Sequence, residues 1–436
     1  MTRVPGSGVQ PTESDRSTPT DSEEALAELI EVSRTIQERC GGKRWEVYQR
    51  LSQSVRVRKH ARSDVATLEA GHECGTALRL RSSDGSATFG TVSGAGEAGL
   101  RWLLNDADRS LSEPEAPWPD PTAARCLDDR DDRAPRLPSF ADLNTWLEKA
   151  WWRYTDMAAE RRGPPPLEHA WVESASTLEL WVSSDGAKAL RSRCRSWAVG
   201  LPGALQGGSG RPRPLGVASR RFKGLPVDGW RRLGADRTWP AGRSATPPEG
   251  AAVLFSPESA GELVFALARA LHLGDSVELS TVGPAWRLVD DPAGPDCPMG
   301  CSFDDVLFPT RARVLADGHR GRDTIVGPGH LRRPSYRNPP VALPTHLVVE
   351  PTDASLPDRC VLATDLRVHA LAPDRWLLEI DGGVLEAGEP GPPIARSFVS
   401  THPRELVRRC IGSFGDARRV HRAVTTPALL FENLIP

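Results

Sequence analysis

Few residues of this chain stand at spacings that chemistry uses. The only His-Glu pair is His72-Glu73, followed by Cys74. A zinc-peptidase helix needs two histidines on one face and a Glu to act as base. No second histidine follows four or five positions on, so the pair reads as a surface turn between strands. Cys297 and Cys301 form a lone C-x3-C beside a glycine and prolines. Zinc sites normally show two such doublets or nearby histidines, which favours a loop with incidental thiols. His272 closes a helical pattern and reads as a helix-terminus or packing residue. The charged run Asp128-Asp129-Arg130-Asp131-Asp132-Arg133 lacks the glycine and terminal Glu of a calcium loop. Neither a G-x-S-x-G elbow nor a phosphate-binding loop is present. A Ser/His/Asp or Cys/His site assembled in space stays open, with Cys74, Cys410 and the histidines as its material.

The most regular stretch of the chain is Ala251–Thr310. Val253–Phe255 is a short apolar run that reads as a strand. Ser256 suits an N-cap and Pro257 the first helical turn. Ala260, Leu263, Val264, Leu267, Ala270 and Leu271 then recur at helical spacing, one apolar stripe over about four turns. Gly274 is placed to end the helix. A strand at Trp286–Val289, a turn at Asp290-Asp291-Pro292-Ala293-Gly294, and the acidic pair Asp304-Asp305 before Pro309-Thr310 follow.

These motifs, in this order, resemble the TldD/TldE family, also called PmbA or modulator of DNA gyrase. There a strand and a helix precede Gly-Asp, an Asp-Asp-Pro turn, and Asp-Asp-Glu-Gly-x-Pro-Thr. This chain has Gly274-Asp275, Asp290-Asp291-Pro292, and Asp304-Asp305-Val306-Leu307-Phe308-Pro309-Thr310. Val306-Leu307 replaces the family's Glu-Gly. The Gly329–Tyr336 stretch and Thr345-His346-Leu347 stand where the family has Gly-Arg-Arg-Tyr-like and Thr-Asn-Leu-like stretches, with His346 in place of Asn. Gly75-Thr76-Ala77-Leu78-Arg79 and the hairpin after it resemble the family's N-terminal domain. The likeness is strong over 251–347 and looser elsewhere.

In that family the TldD-like subunit carries His-Glu-x-x-x-His on this helix and binds zinc, whereas the TldE-like subunit does not. Aligning Gly274-Asp275 puts Phe265, Ala266 and Ala270 at the three motif positions. None of them offers the imidazole, thiolate or carboxylate that zinc requires. Cys410 lies toward the end where TldD-like subunits have a zinc-ligating Cys, but its flanks match poorly. The resemblance therefore implies a TldE-like chain with no catalytic or metal residue of its own. Gly274, Asp275, Asp290, Asp291, Asp304, Asp305, Pro309 and Thr310 would be structural.

Composition agrees with a large intracellular protein. At 436 residues the chain is long enough for two domains. Its formal net charge of -2 gives no bulk attraction for nucleic acid or an anionic membrane. Arg outnumbers Lys by 50 to 5, read as GC-rich coding. Eight scattered cysteines and an N-terminus without a signal pattern predict a cytoplasmic protein with reduced thiols.

Residues 1–20 are polar and predicted disordered. A helix is expected from Asp21 to Gly41-Gly42. Strands are expected at Trp45–Leu51 and Ser54–Lys59, and a hairpin joins Thr76–Arg81 to Ala87–Val92 through Asp84-Gly85. A helix from Ala95 to Ala107, a solvated loop over Asp106–Pro138, and a helix over Phe140–Arg161 follow. Leu178–Val182 turns at Asp185-Gly186 into Ala189–Ala198. Leu201–Gly250, rich in Gly, Pro and Arg, is read as an exposed linker without the aromatic platform of a nucleic-acid site. Beyond Thr310 short strands are expected at Arg311–Leu315, Thr345–Glu350, Val361–Val368, Trp376–Glu379 and Gly383–Ala387. The expected fold class is α+β: an N-terminal mixed α/β domain (21–240), then a β-rich, mainly antiparallel domain (241–436).

The function the resemblance implies is that of a non-catalytic subunit. A TldD-like partner would hold the zinc and complete a heterodimeric peptidase for unfolded or modified peptides, a type that could serve peptide natural-product maturation. Two alternatives stay open: a stand-alone binding or scaffold protein of this fold, and a hydrolase with a new Cys/His site.

Overall fold

The computed structural model describes residues 30–31, 34–40, 42–63, 65–81, 87–94, 101–104, 111–112, 127–130, 137–159, 164–203, 214–235, 244–247, 249–272, 287–294, 297, 300–317, 331–333, 335, 337–338, 340–350, 352, 354–372, 374–420 and 424–435. The expected tail, the first helix up to residue 29, most of the Ala95–Ala107 helix, and Gly274-Asp275 lie outside them.

Two large sheets dominate. The first takes β1 (Arg44–His60), β2 (Thr67–Arg81), β3 (Ala87–Ser93), β4 (Leu111–Ser112), β5 (Leu127–Arg130), β6 (Leu167–Ser183), β7 (Lys188–Pro202) and β8 (Leu215–Ser219). Its order is β4-β3-β2-β1-β6-β7-β5, with β8 also on β7, and only β5 runs parallel to its neighbour. Helix α1 (Phe140–Ala158) packs across it. A capping box starts α1: the Ser139 hydroxyl accepts from the Asp142 amide, and the Asp142 carboxylate accepts from the Ser139 amide. The stripe Leu143, Trp146, Leu147, Ala150, Trp151 and Tyr154 is buried against Val57, Ala170, Val172 and Ala198.

The second sheet follows β9 (Val253–Phe255) and helix α3 (Pro257–His272), which comes after the short α2 (Gly229–Ala235). Its other strands are β10 (Arg287–Asp290), β11 (Arg313–Asp317), β14 (Leu347–Glu350), β15 (Arg359–Ala372), β16 (Arg375–Glu386), β17 (Glu389–Pro393), β18 (Ser397–Thr401), β19 (Cys410–Val420) and β20 (Val424–Phe431). β12 (Leu331–Arg332) and β13 (Val341–Ala342) form a separate small ladder, and α4 (Pro403–Arg408) precedes β19. The order is β11-β10-β14-β20-β9-β15-β16-β17, antiparallel except for β14 with β20 and β9 with β15. Helices thus accompany two mainly antiparallel sheets, an α+β fold with a β-rich second part. Among the described residues no helix is long and apolar enough to cross a membrane.

Helix α3 starts where Ser256 and Pro257 predict, and the Ser256 hydroxyl accepts from the Ser259 amide. Ala260, Leu263, Val264 and Leu267 are buried in the core of the second sheet, and Ala270 packs at its edge. Gly261 lets the helix approach β19, since a Cβ there would lie 2.3 Å from a Val420 methyl.

Several expectations need correction. β1 is one continuous strand, because β2 and β6 flank it and satisfy its backbone through the polar Ser52-Gln53-Ser54. His72-Glu73 is not a turn: both residues lie within β2, opposite Gln53 and Ser52. The expected loop over Asp106–Pro138 contains β5, whose Asp129 carboxylate accepts from the Ser302 amide at 2.7 Å. Within Leu201–Gly250 the chain builds β8 and α2 instead of a bare linker. Three buried anchors, Leu215, Leu225 and Trp230, join the α1 core there despite Arg220 and Arg221 between them and Arg231 and Arg232 just after. Trp376–Glu379 and Gly383–Glu386 belong to a single strand, β16, and Ala387 begins the turn after it.

Candidate functional site

Strand alternation gives the first sheet two unlike faces. On β1, Trp45 and Val47 enter an apolar core with Leu80, Val182 and Leu190. Their neighbours Glu46, Tyr48 and Arg50 point the other way, as do Arg79, Glu179, Trp181, Arg191, Arg193 and Arg195 on the flanking strands. This second face is charged, yet much of it is buried, because the loop around Asp304-Asp305 docks on it.

That loop is built by its own carboxylate. Asp304 Oδ1 accepts from the Val306 and Phe308 amides at 3.0 and 2.9 Å, and Oδ2 from the Leu331 amide at 3.3 Å. Phe303 and Pro309 bridge, and Thr310 closes the turn by donating to the Cys301 carbonyl. Leu307 sits at φ +66°, a left-handed conformation that side chains other than glycine's disfavour. It occupies the position where the resembled motif has Gly. Its side chain is 1% exposed and packs with Tyr48, Trp181, Ala189 and Phe303. Burial of the side chain offsets the backbone cost. Leu307→Gly is expected to relieve about 1 kcal/mol of strain and to lose about 2–5 kcal/mol of core packing. The net loss, about 1–4 kcal/mol, is read from the urea midpoint; a stabilised variant would contradict the packing described.

The docked loop is fastened by ion pairs. Arg191 Nη2 donates to Asp305, its Nη1 to the Phe303 carbonyl at 3.1 Å, and its Nε to Glu179 at 2.8 Å. Arg193 and the Tyr48 hydroxyl also donate to Glu179, at 2.6 and 2.8 Å. Arg333 gives its amide to Asp305 and its guanidinium to Glu46 at 2.7 Å, and Arg79 completes Glu46 at 2.9 Å. Arg191 also lies 4.7 Å from the centre of the Trp181 ring, and Arg333 4.9 Å from that of Tyr48. Burial alone would raise the Glu179 carboxyl pKa, but Arg191 and Arg193 outweigh it and hold the group well below the usual range. Burial, then the Glu179 and Asp305 charges, push the Tyr48 phenol well up.

Asp290 has a similar local task. Its Oδ1 accepts from the Thr345 and His346 amides at 3.0 and 2.9 Å, so it ties the end of β10 to the entry of β14. Asp291 Oδ1 accepts from the Ala293 amide within the turn. His346 Nε2 lies 3.0 Å from the Thr425 hydroxyl, and burial lowers the imidazole pKa, which keeps it neutral near pH 7. Cys297 and Cys301 are both buried, and Arg332 donates to the Cys301 sulfur at 3.0 Å.

The vacated motif lies elsewhere. Phe265, Ala266 and Ala270 pack on the core of the second sheet along α3. Cys410 is buried at the start of β19, and burial pushes its thiol up to about 12, which leaves no thiolate for ligation or attack. The His272 side chain is outside the described residues, as are Gly274 and Asp275. Among the described residues no group of three or more His, Cys, Asp or Glu is placed to hold a metal ion. Zinc does not fit the three residues at the motif positions.

Asp305 of the second acidic motif, and Thr345, whose amide Asp290 holds, line a cleft of about 170 Å³. Arg50, Thr177, Arg193 and Arg195 line it from the first sheet, and Asp305, Arg332, Arg333 and Thr345 from the opposite side. The sequence reading missed its arginines. A signal existed: Arg191, Arg193 and Arg195 alternate along a predicted strand, so they share one face.

No protein-family model and no curated protein matches the sequence. Solved structures match the fold. TldE from Thermococcus kodakarensis gives a TM-score of 0.76 at 15% identity, over 94% of this chain and 99% of that one. A candidate modulator of DNA gyrase from Bacteroides thetaiotaomicron gives 0.69 at 14% identity, over 92% and 97%. Another from Thermotoga maritima gives 0.67 at 15% identity, over 94% and 98%. Along nearly its whole length this chain therefore has the fold of TldE and of the candidate modulators of DNA gyrase.

Proposed function

We propose that this chain is a TldE-like member of the TldD/TldE family and a non-catalytic subunit of a heterodimeric zinc peptidase. One observation carries the reading: a fold shared with a TldE, with Phe265, Ala266 and Ala270 where the resemblance expects zinc chemistry. Peptide hydrolysis needs an activated nucleophile and a stabilised oxyanion. In this reading the TldD-like partner holds the zinc, the activated water and the base. This chain supplies dimer contacts and a wall of a chamber for unfolded or modified peptides, as in the maturation of peptide natural products. The acidic motif residues are structural, the complex is cytoplasmic, and the chain divides into units at 21–240 and 241–436.

The test mixes this chain, a TldD-like partner and an unfolded peptide, with and without chelator. Cleavage is expected only with both chains and only without chelator. Chelator-insensitive cleavage by this chain alone would favour the Cys/His hydrolase. Partner activity unchanged by this chain would favour a stand-alone scaffold.

A further inference from the structure

We propose that the arginine-lined cleft between the first sheet and the segments at Asp305, Arg332-Arg333 and Thr345 binds the carboxylate of a peptide. Five guanidinium side chains line the cleft, those of Arg50, Arg193, Arg195, Arg332 and Arg333, against one lining carboxylate, Asp305. That carboxylate is already engaged by Arg191 and the Arg333 amide. Glu179 and Glu46, behind the wall, are likewise held by Arg191, Arg193, Arg79 and Arg333. The existing anions therefore serve the loop–sheet junction, and the cleft side keeps an excess of positive charge.

Unsatisfied donors point to a ligand. Arg193 Nη1, Arg332 Nε, Arg333 Nε and Thr345 Oγ1 are buried and have no hydrogen-bond partner among the described residues. Arg332, Arg333 and Thr345 are 8%, 5% and 7% exposed, so their side chains are built into the wall and do not trail over a surface. Buried donors left without acceptors are costly, and native interiors rarely keep several together. Burial, then the charges of Arg193 and Arg50, lower the Arg195 pKa, against the opposing charges of Glu179 and Glu173, so cations crowd at this wall. An oxyanion with two or more acceptor oxygens answers both features, and guanidinium forks match that geometry.

Size narrows the occupant. About 170 Å³ is well below the roughly 300–1,000 Å³ of pockets for drug-sized ligands, so the cleft admits one small group and not a folded segment. A carboxylate at a chain end or on an acidic side chain meets that limit; so does free phosphate, which shares the oxyanion chemistry. The choice of a peptide as the source rests on the peptide-handling reading above, whereas the anion site stands on the geometry.

The experiment titrates the isolated full-length chain calorimetrically, without any partner, so its outcome is separate from the peptidase assay. The probes are a short peptide of Gly and Ala with a free C-terminus, its C-terminally amidated form, and inorganic phosphate. Expected is saturable binding of the acid form, with the amide weaker by roughly tenfold or more, as for a lost charge-assisted hydrogen bond. Arg193→Gln and Arg195→Gln should each weaken the acid form by a similar factor, and Arg193→Lys should retain part of it. Melting curves identify a variant that has failed to fold, and the other variant then carries the test. No binding, equal binding of acid and amide, phosphate binding tighter than the peptide acid, or binding unchanged in a folded variant would each overturn the proposal.

Discussion

Arg191→Met is expected to cost about 3–5 kcal/mol of stability, because it leaves two buried carboxylates short of their cation. The Arg191 side chain is fully buried, and it pairs with both Glu179 on the first sheet and Asp305 on the docked loop. Methionine keeps most of the volume, so the loss reports charge and not a cavity. The urea midpoint should fall sharply, and the loop should become accessible to protease. An acid titration adds a second readout. In the wild type the Glu179 pKa is depressed, so the stability it contributes is complete above its unfolded value of about 4.3. That contribution is lost as pH falls below this value. Removing Arg191 weakens the depression, so the variant should lose less stability on acidification than the wild type. A variant with an unchanged midpoint and the same acid profile would show that the ion pairs do not fasten the loop.

Leu267→Asp is expected to unfold the second sheet and α3. Leu267 is 2% exposed and sits among Leu263, Val264 and the strands under the helix. An unpaired buried charge costs several kcal/mol, against a whole-domain margin of about 5–15 kcal/mol. Leu267→Met, which conserves volume, should cost less than about 1.5 kcal/mol. Circular dichroism and limited proteolysis separate the two variants. If the Asp variant melts like the wild type, the buried face of α3 is assigned wrongly.

Local punctuation made part of this fold readable. Ser256-Pro257 and the apolar spacing placed β9 and α3 nearly to the residue, and Asp185-Gly186 placed the β6–β7 hairpin, where Gly186 takes φ +83°. Strand lengths were less readable. Polar interruptions such as Ser52-Gln53-Ser54 look like breaks until the strands on both sides are known. α2 was hidden because Trp230 is a single anchor among arginines. The cleft was half legible. The motif resemblance marked Asp290, Asp304 and Asp305, while the alternation that puts Arg191, Arg193 and Arg195 on one face was the signal missed. What joins them is distant in sequence: Arg191 and Asp305 stand 114 positions apart. No local pattern encodes that contact. Leu307 shows the same limit, since its departure from Gly makes sense only beside Tyr48 and Trp181.

Metal content of the purified chain, alone and in complex with a TldD-like partner, is the decisive measurement. Phe265, Ala266 and Ala270 have no lone pairs for zinc, and the Cys410 thiol is buried and protonated. The expected result is no stoichiometric zinc in the isolated chain and chelator-removable zinc in the complex. A stoichiometric, tightly held zinc in the isolated chain, lost on mutation of Cys410 or His272, would contradict the non-catalytic reading.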